Sequence, residues 1–233
     1  MFKKSAFLLT TLIVLSSSLQ AQTVIAKYAG EFMALGVGGR ALGMGGAFVA
    51  VANDVTSGYY NPAGLANINY PQLALMHSEQ FGNLVNYDYG AVAIPFQDDM
   101  SFGLSVMRLG VDGIPDTRNA LYDANGDGII DIGDDRLDYS RITEFSNQDW
   151  AFYLTFAKRQ TEDFYWGINA KIIRRDLAEF GATGIGFDVG AYYTPMENLF
   201  LGANLQDATT TLVAWSTGRN ELVSPTLKVG AAY

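Results

Sequence analysis

Residues 150–157 read WAFYLTFA, which sets Trp150, Phe152, Leu154 and Phe156 against Ala151, Tyr153, Thr155 and Ala157. Successive side chains of a strand point to opposite faces, so this run predicts a strand with one bulky apolar face. The same alternation recurs on both sides of it. Phe102, Leu104 and Val106 oppose Ser101, Gly103 and Ser105, and Phe164, Trp166, Ile168, Ala170 and Ile172 oppose Tyr165, Gly167, Asn169 and Lys171. Ile185, Phe187, Val189 and Ala191 oppose Gly184, Gly186, Asp188 and Gly190. Leu199, Leu201, Ala203 and Leu205 oppose Gly202, Asn204 and Gln206, and Leu227, Val229, Ala231 and Tyr233 oppose Thr226, Lys228, Gly230 and Ala232.

From residue 72 onward the chain divides into about eight such segments, each near the length of a tilted membrane strand. The second face is unusual for a protein that meets water with it. It carries glycine, serine, asparagine and alanine with scattered charges, where a soluble sandwich would carry many long charged side chains. Small and polar residues toward a lumen, with apolar ones toward lipid, are the pattern of an outer-membrane barrel. Trp150, Phe164, Tyr192 and Tyr193 stand near strand ends, where interfacial aromatic belts lie. Residues 73–77 and 87–96 alternate less cleanly, because Val92 and Ile94 have the opposite parity from Tyr87 and Tyr89. Residues 96–99 and 195–198 read as short turns; 110–148 and 207–224 read as long external loops.

Bulk composition agrees. Hydrophobic residues make up 49% of the chain, yet after residue 21 no run of eighteen apolar residues offers a transmembrane helix. Residues 1–21 have Lys3 and Lys4, an apolar core from Ala6 to Leu15 and small residues before Ala21, the layout of a secretory signal peptide. The formal net charge of −9, more negative still without Lys3 and Lys4, argues against nucleic acid as a partner. The 233 residues contain no cysteine, so disulfides, cysteine–metal sites and a lipidated cysteine are all excluded.

Residues 36–66 have a different character. Glycines at 36, 38, 39, 43, 45 and 46 are too dense for a regular helix, residues 47–52 are a short apolar run, and Asn61-Pro62-Ala63-Gly64 suits a helical turn capped by Asn61. Gly36-Val37-Gly38-Gly39-Arg40-Ala41 also fits a loose dinucleotide fingerprint, but no βαβ pattern continues from it.

Gly39-Arg40-Ala41-Leu42-Gly43-Met44-Gly45-Gly46-Ala47, Asn53-Asp54 and Tyr60-Asn61-Pro62-Ala63-Gly64-Leu65 together resemble the N-terminal signature of the PorV/PorQ-type outer-membrane proteins, a group similar to the FadL-like transporters. The resemblance implies an all-β fold: an antiparallel transmembrane β-barrel, with residues 22–70 as a glycine-rich plug and 71–233 as strands, in the outer membrane of a Gram-negative-type bacterium. It implies a non-enzymatic channel or transporter for hydrophobic small molecules. Gly39, Arg40, Gly43, Gly45, Gly46, Asn61, Pro62 and Ala63 would then serve in plug gating. The alternative it implies is a PorV-like component of a type IX protein-secretion system that binds secreted cargo proteins. An eight-stranded barrel has little room for such a plug, so the chain is expected to be a fragment of a larger barrel.

Residues 123–134 offer oxygen ligands at calcium-loop spacing: Asp123, Asn125, Asp127, the Ile129 carbonyl, Asp131 and Asp134, with Gly128 at the sharp turn. Position twelve is an aspartate and no flanking helices are evident, so the expected role of Ca2+ is structural. Lone His77 lacks a catalytic constellation and reads as structural. Asn169, Lys171, Asp188, Asn204 and Lys228 share the polar face, where they are expected to pair with one another or with Arg40.

Overall fold

The computed structural model describes residues 29–124, 126, 128 and 136–233. The segment expected as a signal peptide lies outside them. The described chain is dominated by one antiparallel sheet. Its strands are β1 (Gln72–Gln80), β2 (Val85–Phe96), β3 (Met100–Asp116), β6 (Thr143–Arg159), β7 (Phe164–Leu177), β8 (Phe180–Met196), β9 (Leu199–Gln206), β10 (Thr211–Trp215), β11 (Asn220–Val223) and β12 (Thr226–Ala232). A separate two-stranded ribbon joins β4 (Leu121–Tyr122) to β5 (Arg136–Leu137).

From β1 to β8 each strand of the sheet pairs with the one before it. The far edge of β8 is then shared: its C-terminal half pairs with β9 and its N-terminal half with β10. β12 pairs with β9 and β11 with β10, so the last two passes across the sheet are each broken once, at 207–210 and at 224–225. Counted as passes, the sheet meanders eight times, as the alternation predicts. Among the described residues no strand lies outside β1, β11 or β12.

Two loop assignments are corrected. β3 continues to Asp116 and β6 begins at Thr143, so the supposed loop at 110–148 is in part a strand pair. Residues 207–224 contain the β10–β11 hairpin rather than a loop. Thr211-Leu212-Val213-Ala214-Trp215 is rich in strand formers, but five residues between turn-like sequences leave little period to read. The turns at Gln97 and Asn198 hold as read, with both residues in the left-handed region (φ 58° and 64°).

The two faces of the sheet have opposite chemistry. Leu75, Leu154, Ile185 and Val229 are 60–80% exposed, whereas Ser101, Ser105, Thr155, Asn169, Lys171, Asp188 and Asn204 are buried. What buries the polar face is the segment 29–71, with 3-10 turns at Glu31–Ala34 and Pro62–Asn67 and short helices at Gly39–Gly43 and Ser57–Tyr60. Tyr87 and Tyr89 explain the uneven alternation of β2. They turn inward against Tyr59, Tyr60 and Phe48, while Val92 and Ile94 turn outward. Tyr192, expected in an aromatic belt, is instead buried against Tyr165 and Phe200; adjacent to Tyr193 in a strand, it must face the other way.

Glycine makes the seat possible. A Cβ on Gly167 of β7 would lie 2.5 Å from the Pro62 carbonyl carbon and 2.6 Å from the Ala63 nitrogen, and one on Gly103 of β3 would lie 2.8 Å from Leu65 Cδ2. The backbone of the segment therefore rests directly on the backbone of the sheet. Gly167→Ala is expected to cost about 1–3 kcal/mol through overpacking. Gly39→Ala, where an added Cβ meets nothing within 4 Å, should be neutral or stabilising by up to about 1 kcal/mol. Thermal unfolding of the two variants in detergent checks the contrast.

Candidate functional site

Asn61 is the centre of the inner seat. Its Nδ2 donates to the Val49 carbonyl (2.9 Å) and to the Ala191 carbonyl of β8 (3.0 Å), and its Oδ1 accepts from the Ala63 amide (3.2 Å). One fully buried side chain thus ties two stretches of the segment to the sheet and caps the turn opened by Pro62. The sheet answers with its own amides. Asn169 donates to the Gly58 carbonyl (2.6 Å), Asn204 to the Tyr60 carbonyl (2.9 Å) and Gln206 to the Tyr59 carbonyl (3.4 Å). These are carbonyls near a short helix end that the segment itself leaves without strand partners.

The glycine turn at 36–38 is held from beneath by two tyrosines. Tyr59 Oη donates to the Met33 carbonyl (2.6 Å) and accepts from the Gly36 amide (3.1 Å); Tyr60 Oη donates to the Val37 carbonyl and accepts from its amide (both 2.9 Å). Burial raises the pKa of both hydroxyls, so each remains a protonated donor.

The residues expected to serve in gating divide into two groups. Asn61, Pro62 and Ala63 sit together in the seat on β7 and β8. Gly39, Arg40, Gly43, Gly45 and Gly46 lie on the exposed side of the segment, away from the sheet. Gly45 and Gly46 have φ of 63° and 79°, which lets the chain reverse after the Gly39–Gly43 helix. Arg40 donates to Asn53 Oδ1 (2.6 Å), approaches Asp54 (3.5 Å) and stacks over Phe48. Its pairing is within the segment, not with the sheet's charges.

Of those charges, Lys171 and Asp188 pair with each other, whereas Lys228 has no ion pair among the described residues. Lys171 Nζ lies 2.7 Å from both Asp188 Oδ1 and Asp207 Oδ1, the Asp207 amide donates to Asp188 (2.8 Å), and Thr211 Oγ1 donates to Asp207. All four are buried, at the break between β9 and β10. Sequence reading placed Lys171 and Asp188 on one face but missed Asp207, which lies in the irregular connection. It also missed Asp149, which pairs with Arg175 (2.7 Å), while Arg175 reaches the Ala29 carbonyl (3.3 Å). Asp149 has inward parity next to Trp150, and that was the available signal.

The exposed face is organised in rows by the strand register. One row runs His77, Asp88, Arg108, Trp150, Arg174, Thr183. Below it three rows are apolar or glycine throughout, among them Leu75, Val106, Phe152, Ile172, Ile185 and Leu212, and below these comes the row of Phe96, Met100, Lys158 and Trp166. His77 Nδ1 contacts Asp88 (2.6 Å) and Arg108 Nη1 contacts the same carboxylate (3.1 Å), with the Arg108 guanidinium over the Trp150 ring. Arg108 and Met100 are about 26 Å apart along β3 at about 3.3 Å per residue. For strands tilted by about 40°, as membrane strands are, that length corresponds to a height of about 20 Å.

Beyond that band, Arg118 clamps Asp116 (2.7 Å) and Glu179 (2.8 Å), joining the end of β3 to the β7–β8 turn and holding the Glu179 carboxyl below its ordinary pKa. Of the calcium-type loop, Asn125, Asp127, Ile129, Asp131 and Asp134 lie outside the described residues. Asp123 accepts from the Gly126 and Gly128 amides (2.5 and 2.8 Å). Among the described residues no three potential ligands converge on a metal position.

A family model described as an uncharacterised protein family (UPF0164) matches residues 10–108. The chain is similar to that family from before the described segment as far as Arg108 in β3. No curated protein matches the chain. Two variants separate the two groups of segment residues. Asn61→Ala removes three hydrogen bonds and strands two carbonyls, so it should cost about 3 kcal/mol. Arg40→Ala, losing its solvent-facing contacts to Asn53 and Asp54 and its stacking over Phe48, should cost about 1 kcal/mol. Denaturant unfolding, with protease cleavage between residues 36 and 66 as a second readout, measures both.

Proposed function

We propose that the sheet is the wall of an outer-membrane β-barrel and that residues 29–71 are its plug, with the protein acting as a non-enzymatic, gated channel or carrier. The observation that carries this reading is the exposed face: a band of Leu, Ile, Val and Phe bounded on both sides by rows bearing charges and tryptophan. In water that band would be an aggregation surface. In a bilayer it is a lipid contact with its polar residues at the two interfaces.

The plug assignment draws on the same inversion. Polar side chains that would otherwise line a wet lumen are consumed in holding the segment. Closure of the wall requires partners for the outer edges of β1, β11 and β12, since open strand edges have no place in hydrocarbon. Gating would leave the Asn61–Ala63 seat in place and displace the exposed part around Gly39–Gly46, where few contacts hold it. The family resemblance points to hydrophobic solutes; the buried asparagine, lysine and aspartate of the inner face are engaged by the segment and by one another, so any solute path opens only where the segment moves.

A second reading, a receiver of secreted proteins, is favoured by one feature. β3 and β6 extend well past the apolar band, and Arg118 braces the β3 end against Glu179, giving a firm surface outside the bilayer. Co-purification of large partners from outer membranes, dependent on Arg118, separates this reading from a channel acting alone.

Leu154→Arg tests the membrane reading directly. Leu154 is 61% exposed, so arginine there is harmless to a water-soluble sheet. At the middle of a lipid-facing band it should cost about 2–4 kcal/mol. Refolding into phospholipid vesicles, followed by the gel mobility of unboiled samples, checks it; insertion of the variant as efficient as that of the parent chain would refute the lipid-facing band.

A further inference from the structure

The strand breaks at 207–210 and 224–225 leave a cavity of about 480 Å³ between the sheet and the start of the segment, within the size range of small-molecule sites. Its sheet wall presents Lys228, Gln206, Asp207 and Lys171, the β11–β12 break adds Ser224, and the segment adds Glu31. The two lysines differ. Lys171 is saturated by Asp188 and Asp207, and its buried charge is spoken for. Lys228, on β12, makes no ion pair among the described residues. Opposite it in register, Asn204 uses its amide nitrogen on the Tyr60 carbonyl and leaves a buried Oδ1 with no donor among the described residues.

We infer that this cavity is a binding site for a small, hydroxyl-rich monoanion, such as a sugar acid, with its carboxylate on Lys228. This rests on the reading of the segment as a plug only for its place in transport; the binding itself follows from the lining. A carboxylate on the Lys228 ammonium makes a charge-assisted hydrogen bond, the strongest contact the cavity offers. Hydroxyls find both kinds of partner: Glu31 and Asp207 accept, the Gln206 amide does both, and Ser224 does both. Met33, Ala34, Tyr153 and Val223 supply an apolar side for the carbon skeleton, and a ligand with no polar groups would leave the opposite, polar side unpaired. A dianion is disfavoured because Glu31 is the cavity's one carboxylate outside the Lys171 network.

Three probes of similar size isolate the two halves of the inference. Gluconate has the carboxylate and the hydroxyls, sorbitol the hydroxyls only, and hexanoate the carboxylate only. Titration calorimetry on the full chain refolded in detergent should show gluconate binding at least about tenfold tighter than either control, a difference of about 1.4 kcal/mol. Lys228→Gln should reduce gluconate binding to the sorbitol level, and Lys228→Arg should retain most of it; both variants are at an exposed edge position and should leave the unfolding temperature unchanged. Equal affinities for gluconate and hexanoate, or gluconate binding indifferent to Lys228→Gln, would overturn the inference. Because this readout needs no bilayer, its failure is distinct from a failure of Leu154→Arg to disturb insertion.

Discussion

The hydrogen bonds from buried side-chain amides to the backbone of the N-terminal segment are the constraint on which the rest of the structure depends. A strand pairs its own amides and carbonyls with its neighbours; an irregular segment cannot. Placed against a sheet, it must find partners or leave polar groups unpaired away from water. Asn61, Asn169, Asn204 and Gln206 supply them, and each is fixed by the strand or turn that carries it. The glycines at 103, 167, 190 and 202 follow from the same requirement, because amides of this length reach a backbone only if that backbone comes close. Polarity and small size on one face are two expressions of a single need.

That need also accounts for the inverted look of the sheet. A soluble β protein turns bulky apolar residues inward and meets water with charge. Here the inward face is occupied by backbone, which rewards small polar side chains, and the apolar residues are displaced outward. The displacement is ordered: rows bearing charged and aromatic residues appear where the apolar rows stop, in the same register across five neighbouring strands at one border and four at the other. Such a band is what the proposed contact with hydrocarbon would require of a wall.

How much of this the sequence discloses depends on the length of the periodic signal. β6, β7 and β8 announce themselves, since each carries four or more alternations, and their faces are as the alternation says. β10 and β11 do not, because five and four residues between turn residues give no period worth reading. The seat was half legible. Asn61-Pro62 reads as a capped turn, and Asn169 and Asn204 read as inward, but nothing local says that they meet across more than a hundred residues of chain. Asp207 and Asp149 escaped for the same reason: one lies in an irregular connection, the other one step before a strand's clear alternation. Arg40 shows the opposite error, a charge expected to bridge to the sheet that finds Asn53 close at hand instead.

The distances along the chain between seat and partners have a consequence for how the protein assembles. The bonds from Gly58, Asn61 and Tyr60 to β7, β8 and β9 span 111, 130 and 144 residues. The segment precedes its partners in the chain, so its polar backbone has no home until most of the sheet exists. Such non-local closure is intrinsically slow. During that interval the exposed Leu, Ile, Val and Phe of the outer face are uncovered, and the chain is at its most prone to aggregate. On the proposed reading of the sheet as a membrane wall, the topology calls for something that shields the apolar strands while leaving the segment free to find its seat.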